Sequence, residues 1–319
     1  MGRTYIFQMK SIALFLILTT LPPGAVAQTN EANEAKPASR PRDTHPLLKP
    51  ADPALPSLFL IGDSTVRNGT GNGAGGQWGW GDFLAPFFQT NQINVVNEAL
   101  GGTSSRTYYR DRWPGVLAMM KPGDFVIMQF GHNDSSPPSD TTRARGTIKG
   151  VGDETQEIDN PLTHRHEVVH SFGWYEKQII TEARAKGATP MVCSLIPRNT
   201  WRDGRAARNK NDYAGWAGEA AKSEHAPFLD INEIIARQYD ELGQEKVKPL
   251  FIVGAGPHTS LAGAETNAAC VIAALKGLKE NPLAKFFSEK AAAVPPADLD
   301  KPAPAPVVPA KDLVTSEKF

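Results

Sequence analysis

One stretch constrains this chain more than any other: Leu58-Phe59-Leu60-Ile61-Gly62-Asp63-Ser64-Thr65-Val66. Four consecutive apolar residues stop abruptly at Gly-Asp-Ser, which predicts a strand buried on both faces. Strands of that kind belong to parallel sheets, whose ligands bind just beyond the C-terminal strand ends. Ser64 stands at such an end, and Gly62 permits a tight backbone path there. Ser64 is therefore either a nucleophile or the cap of a following helix.

Similar strand-like runs recur at Ile93–Asn97, Asp124–Phe130, Thr189–Ile196 and Pro227–Ile231. Helical patterns fall at Gly81–Gln89, Trp113–Met120, Trp174–Lys186, Asp212–Glu224, Asn232–Leu242 and Ala262–Lys279. The alternation predicts an α/β fold with a five-stranded parallel sheet and helices on both faces. These segments place one globular domain at residues 54–288.

The flanks differ in composition. Residues 1–27 have the form of an export signal: Arg3 and Lys10, an apolar core Ser11–Leu21, and Ala25-Val26-Ala27 as a small-residue cleavage site. That core is too short for a stable membrane span. Residues 28–53 are polar and rich in Pro and Ala, and predict a flexible linker. Residues 289–319 carry a series of prolines and predict a disordered tail. The expected product is exported, periplasmic or extracellular.

Thirty-four basic residues balance thirty-four acidic ones, which speaks against nucleic acid or anionic membrane as partner. No feature demands a partner protein, and a monomer is expected. The two cysteines, Cys193 in a strand-like run and Cys270 in a helical one, are either a disulfide or two buried thiols.

Four blocks sit at or after predicted strand ends: Gly62-Asp63-Ser64, Asn97 to Arg106, Gly131-His132-Asn133-Asp134, and Pro257-His258-Thr259-Ser260. As a set they fit acyl transfer. His258 is the candidate base for a Ser64 nucleophile. The backbone N–H groups of Ser64 and Gly102 and the side-chain amide of Asn133 are candidate oxyanion donors. No cofactor or metal is needed for this chemistry.

These blocks, in this order, resemble the SGNH (GDSL-type) hydrolases, whose lettered residues match Ser64, Gly102, Asn133 and His258. The context of the blocks is similar to the rhamnogalacturonan acetylesterase branch. The resemblance extends over most of Leu58 to Lys279. It implies a flavodoxin-like three-layer α/β/α sandwich and hydrolysis of acetyl esters on a pectic polysaccharide. The expected partner is thus an acetylated polysaccharide or oligosaccharide, with another glycan such as xylan as the alternative substrate.

One position departs from the family pattern. Three residues before the histidine, where the family has an aspartate that orients the imidazole, stands Ala255. In a serine protease, replacing the triad aspartate costs about 10⁴ in turnover. A working dyad, a substitute carboxylate (Asp63 or Asp230) and a weakened, carbohydrate-binding relative are the open readings. Arg106 is a candidate for gripping a uronate carboxylate through its planar fork, the alternative being an ion pair. His132 is a candidate site wall or a hydrogen-bonding brace of its loop, the brace being favoured.

Three further motifs compete. His166-Glu167-Val168-Val169-His170 is a formal zinc motif that would require a helix. Gly71-x-Gly73-x-x-Gly76 has the letters of a dinucleotide loop without the strand before it or the helix after it, and predicts a loop flanking the site over Trp78 and Trp80. Trp78, Trp80, Tyr108, Tyr109, Trp113 and Trp201 are available either to stack on sugars or to pack.

Overall fold

The computed structural model describes residues 45–305. In chain order the strands are β1 Ser57–Gly62, β2 Asn94–Asn97, β3 Phe125–Gln129, β4 Thr155–Asp159, β5 His166–His170, β6 Thr189–Cys193, β7 Trp201–Arg202, β8 Arg205–Ala206 and β9 Phe228–Leu229. The helices are α1 Ser105–Asp111, α2 Trp113–Met119, α3 Phe172–Ala185, α4 Tyr213–Ser223, α5 Ile231–Leu242, α6 Gln244–Val247, α7 Leu261–Gly277 and α8 Glu289–Ala292.

Five strands form one parallel sheet in the order β2-β1-β3-β6-β9. All six residues of β1 are buried. Strand alternation splits them between the two faces: Leu58 and Leu60 pack with α5 and α7, while Phe59 and Ile61 pack with α1 to α4. An uninterrupted apolar run is thus what a strand between two helical layers requires. The outcome is the expected three-layer α/β/α sandwich.

The strand order reverses at β1, so the loops after β2, β1 and β3 open side by side at one edge of the sheet, the position where such folds bind ligands. Cys193 at the end of β6 and Cys270 in α7 are both buried and free; burial pushes the Cys270 thiol up to about 12.

Several expectations are corrected. The helix expected over Gly81–Gln89 is a pair of 3-10 turns, Trp80–Phe83 and Ala85–Phe87, because Pro86 lacks an N–H and restricts the residue before it. The export segment lies outside the described residues. Residues 45–53 are not a free linker: Arg112 grips the His45 carbonyl at 2.7 Å, Asn94 the Asp52 carbonyl at 2.7 Å, and the Leu48 N–H donates to Glu98 at 2.5 Å.

Residues 289–305 are likewise held on the domain. Arg237 donates to the carbonyls of Asp298, Leu299 and Lys301, and Lys276 to those of Ala291 and Val294. A proline-rich segment is poor in N–H donors, so long basic side chains of α5 and α7 satisfy its carbonyls instead.

Candidate active site

The site starts from the turn after β1. A Cβ on Gly62 would lie 2.5 Å from both the Gln129 carbonyl and the Val66 side chain, so only glycine lets β1 turn here against β3. The turn presents the Ser64 hydroxyl 2.8 Å from His258 Nε2, 194 residues further along the chain.

His258 sits in the turn that leads into α7. The Ile252 N–H donates to the His258 carbonyl and the Ala255 N–H to the Ile252 carbonyl, with Gly254 and Gly256 at φ +72° and +68°. This turn brings the Ala255 carbonyl 2.6 Å from His258 Nδ1. A carbonyl can only accept, so Nδ1 carries the proton and the Nε2 lone pair faces the serine hydroxyl. The residue that lacks the orienting carboxylate therefore supplies an orienting acceptor from its own backbone.

Neither substitute carboxylate reaches the imidazole. Asp230 caps α5, accepting from the Glu233 N–H at 3.2 Å and the Ser194 hydroxyl at 2.9 Å. Asp63 ends a buried relay: Trp80 Nε1 donates to Gln129 Oε1 (2.9 Å), Gln129 Nε2 to Thr65 Oγ1 (2.5 Å), and the Thr65 hydroxyl to Asp63 Oδ1 (2.7 Å). Burial pushes the Asp63 carboxyl up, opposed by the Thr65 hydrogen bonds and by the nearby charges of His258 and Arg145.

The oxyanion candidates lie on loops next to the Ser64 turn, whose Gly62 carbonyl accepts from the Leu100 N–H at 2.9 Å. Gly102 follows β2 at φ +80°, a conformation that favours glycine, and its carbonyl accepts from Arg145 Nη1 at 2.6 Å. Asn133, after β3, donates one amide N–H to the Thr103 carbonyl at 2.8 Å, which ties the two loops together and leaves its second N–H. The backbone N–H groups of Ser64 and Gly102 donate to no other group among the described residues.

Arg106 does not face the site. It is fully buried and clamps Glu167 with two hydrogen bonds, Nε at 2.8 Å and Nη2 at 2.7 Å. Its Nη1 donates to the carbonyls of Pro138 and Gly146. With the fork spent inside the protein, the uronate expectation is replaced by the ion pair.

His132 does not brace its loop. Both ring nitrogens are buried without a partner among the described residues. Burial, with the charges of Arg198 and His258, holds its pKa down at about 3, so it stands as a neutral wall.

A family model described as the GDSL-like lipase/acylhydrolase family matches residues 60–264, more than half of the chain. The chain belongs to this family. A rhamnogalacturonan acetylesterase of Emericella nidulans is 29% identical over 245 residues, 76% of this chain and 82% of the relative. A probable rhamnogalacturonan acetylesterase of Bacillus subtilis, YesY, is 30% identical over 228 residues, 70% of this chain and 92% of the relative. Among solved structures, the crystal structure of the Bacillus subtilis protein YxiM matches with a TM-score of 0.56 at 23% identity. That match covers 70% of this chain and 56% of the other, and shows the shared fold.

The rival motifs of this GDSL-type hydrolase are accounted for by their secondary structure. His166 to His170 form strand β5, paired antiparallel with β4, and not a helix. Four residues along a strand span about 13 Å, too far for two histidines to share an ion. Glu167 points to the other face, into the clamp of Arg106, Arg110 and Asn160. His170 stacks on Trp174 at 3.7 Å between ring centres. No group of His, Cys, Asp and Glu among the described residues is arranged to hold a metal ion.

The glycine-rich loop folds over Trp78, where a Cβ on Gly73 would lie 2.3 Å from the indole. Trp78 in turn exchanges hydrogen bonds with Thr259, next to His258. That loop is therefore a support of the histidine turn. Trp80, Tyr108 and Trp113 are core residues, and Tyr109 bonds Glu182. Two features were hidden from the sequence: the Ala255 carbonyl, which no side chain announces, and Arg145, which reaches Gly102 from 43 residues away.

Proposed function

We propose that this chain is an exported serine esterase that removes acetyl groups from a pectic polysaccharide of the rhamnogalacturonan type. The observation that carries the reading is the Ser64–His258 contact, with the imidazole's other nitrogen committed to the Ala255 carbonyl. The substrate class rests on the two rhamnogalacturonan acetylesterase relatives.

In this reading Ser64 Oγ attacks the acetyl carbonyl carbon while its proton passes to His258 Nε2. The developing oxyanion takes hydrogen bonds from the N–H groups of Ser64 and Gly102 and from the Asn133 amide. Collapse of the tetrahedral species breaks the C–O bond to the sugar, whose oxygen leaves with the proton held on Nε2. Water then attacks the acetyl-serine, gives a proton to the same nitrogen, and acetate departs as Ser64 recovers its hydrogen. His132, neutral and unpaired beside the dyad, adds no competing charge.

The test is acetate release from an aryl acetate, from acetylated rhamnogalacturonan and from acetylated xylan. Ser64→Ala should lower turnover by roughly 10⁶-fold, the scale of losing a serine nucleophile, with an unchanged circular dichroism spectrum. Turnover retained in that variant removes Ser64 from the mechanism. A higher kcat/KM on xylan keeps the esterase and overturns its pectic substrate.

A further inference from the structure

Three arginines stand around the dyad without a carboxylate in ion-pair contact among the described residues. Arg143 Nη1 lies 3.5 Å, and Arg145 Nη1 3.7 Å, from where a Cβ on Gly102 would be. Across the site, Arg198 Nη1 lies 3.5 Å from the corresponding point on Gly256, in the histidine turn. The Arg198 side chain is exposed, and those of Arg143 and Arg145 are half-buried.

Among the described residues, none of the three forms a salt bridge. The Arg143 and Arg198 side chains make no hydrogen bond, and Arg145 has its bond to the Gly102 carbonyl but a buried Nε without partner. The contrast with Arg106, Arg112, Arg208 and Arg237, all paired with carboxylates, is sharp. Asp140, the acid closest in sequence to Arg143, has its oxygens engaged by the backbone N–H groups of Thr142, Arg143 and Ala144.

Arg143 and Arg145 repel each other beside Gly102, and Arg198 faces the neutral His132, so an anion bound between these groups would relieve unfavourable charge. Burial and the Arg143 charge both push the Arg145 pKa down from its usual value, opposed by the nearby acids Asp63, Asp134 and Asp140. Arg143 and Arg145 approach the backbone of the residue whose N–H would hold the oxyanion. An anionic group gripped there would sit on the substrate within a sugar residue's reach of the reacting ester.

We propose that Arg143, Arg145 and Arg198 form a carboxylate-binding site that selects uronic-acid residues flanking the acetylated sugar. Guanidinium forks suit carboxylates, which they bind through two parallel N–H bonds. The proposal rests on the esterase reading for the role of the bound chain, though not for binding itself. Arg145 holds the loop through Gly102, while Arg143 and Arg198 present free forks from opposite sides. A neutral glycan would leave the guanidinium groups of Arg143 and Arg198 unanswered.

The experiment is calorimetric binding of acetyl-free oligogalacturonate to the wild-type protein, beside a neutral xylo-oligosaccharide and a sulfated oligosaccharide of equal length. Oligogalacturonate should bind, and more weakly as salt rises. Arg143→Gln and Arg198→Gln should each weaken it by about tenfold, the scale of one charge-assisted contact. For active enzyme, Arg143→Gln should raise the KM for an acetylated oligouronide more than that for a neutral aryl acetate.

Equal binding of the neutral or the sulfated ligand, or undiminished binding by both variants, overturns the proposal. Acetate release without oligogalacturonate binding would leave the esterase standing and this site refuted. Selective, arginine-dependent binding without hydrolysis of any ester would do the reverse.

Discussion

Two regions of this hydrolase carry residues with the letters of a catalytic motif, and the fold treats them in opposite ways. Around Ser64 and His258, hydrogen-bonding capacity is left open: the Ser64 and Gly102 N–H groups, Asp63 Oδ2 and both His132 nitrogens have no partner among the described residues. On β5, the capacity of Glu167 is used up by Arg106, Arg110 and Asn160. Buried polar groups are normally satisfied, so open ones beside a paired serine and histidine suit ligand binding, whereas the open His170 Nδ1 on β5 belongs to a ring stacked on Trp174. The distinction between a reactive site and a structural pair lies in unspent hydrogen bonds more than in residue types.

The comparison is broken most forcefully at Glu167. Arg106 is buried, so Glu167→Ala leaves its guanidinium without a counter-charge and should cost about 3–5 kcal/mol of unfolding free energy. Urea denaturation measures it. The Arg106→Met/Glu167→Leu double variant should recover much of that loss, because it removes both charges together. If Glu167→Ala instead abolishes esterase turnover while stability is unchanged, the glutamate belongs to the chemistry after all.

The readability of the sequence follows the same division. The placement of Ser64, Gly102, Asn133 and His258 was legible because each follows a strand end or lies in a glycine-bearing turn, and the sheet order puts the loops after β2, β1 and β3 side by side. The pairing of Arg106 with Glu167 was not, because it joins residues 61 apart through a hairpin. That hairpin was hidden by its own letters: the spacing of His166, Glu167 and His170 suits a helix, but pairing with β4 fixes a strand. Ala255 was legible only as a deficit. Its side chain says that an aspartate is missing, whereas the compensating acceptor is a backbone atom that every residue type has.

Acidity separates the two regions by sign. Burial works to raise the Glu167 pKa, but hydrogen bonds from Arg106 and Asn160 hold it down at about 2. Its contribution to stability is therefore complete above the unfolded value of about 4.3 and is lost as pH falls toward 2. Behind the dyad, burial pushes Asp134 up to about 7 despite hydrogen bonds from Ser105 and Gly131, with Asp63 adding to the rise. Its contribution is complete below about 3.9 and is lost as pH rises through 7. Denaturation midpoints measured from pH 2 to pH 8 should therefore lose acid-side slope in Glu167→Gln and neutral-side slope in Asp134→Asn. An unchanged profile in either variant would remove that carboxyl from the pH dependence.

The smallest effect is expected at Ala255, where the sequence departs from the family pattern. Ala255→Asp restores the family letter, yet His258 Nδ1 already donates to the Ala255 carbonyl at 2.6 Å, so the imidazole is held before any carboxylate is added. In the proposed mechanism, what the carboxylate can still add is charge against the imidazolium that would form as Ser64 gives up its proton. The carbonyl dipole supplies part of that, and it stays in place whichever side chain residue 255 carries. We expect kcat/KM on an aryl acetate to change by less than about tenfold, under about 1.4 kcal/mol of transition-state stabilisation. A gain near the 10⁴ that a triad aspartate is worth would mean that the carbonyl fixes the ring's orientation but contributes little to its charge. The open hydrogen bonds around Ser64 would then belong to a site that binds esters better than it cleaves them.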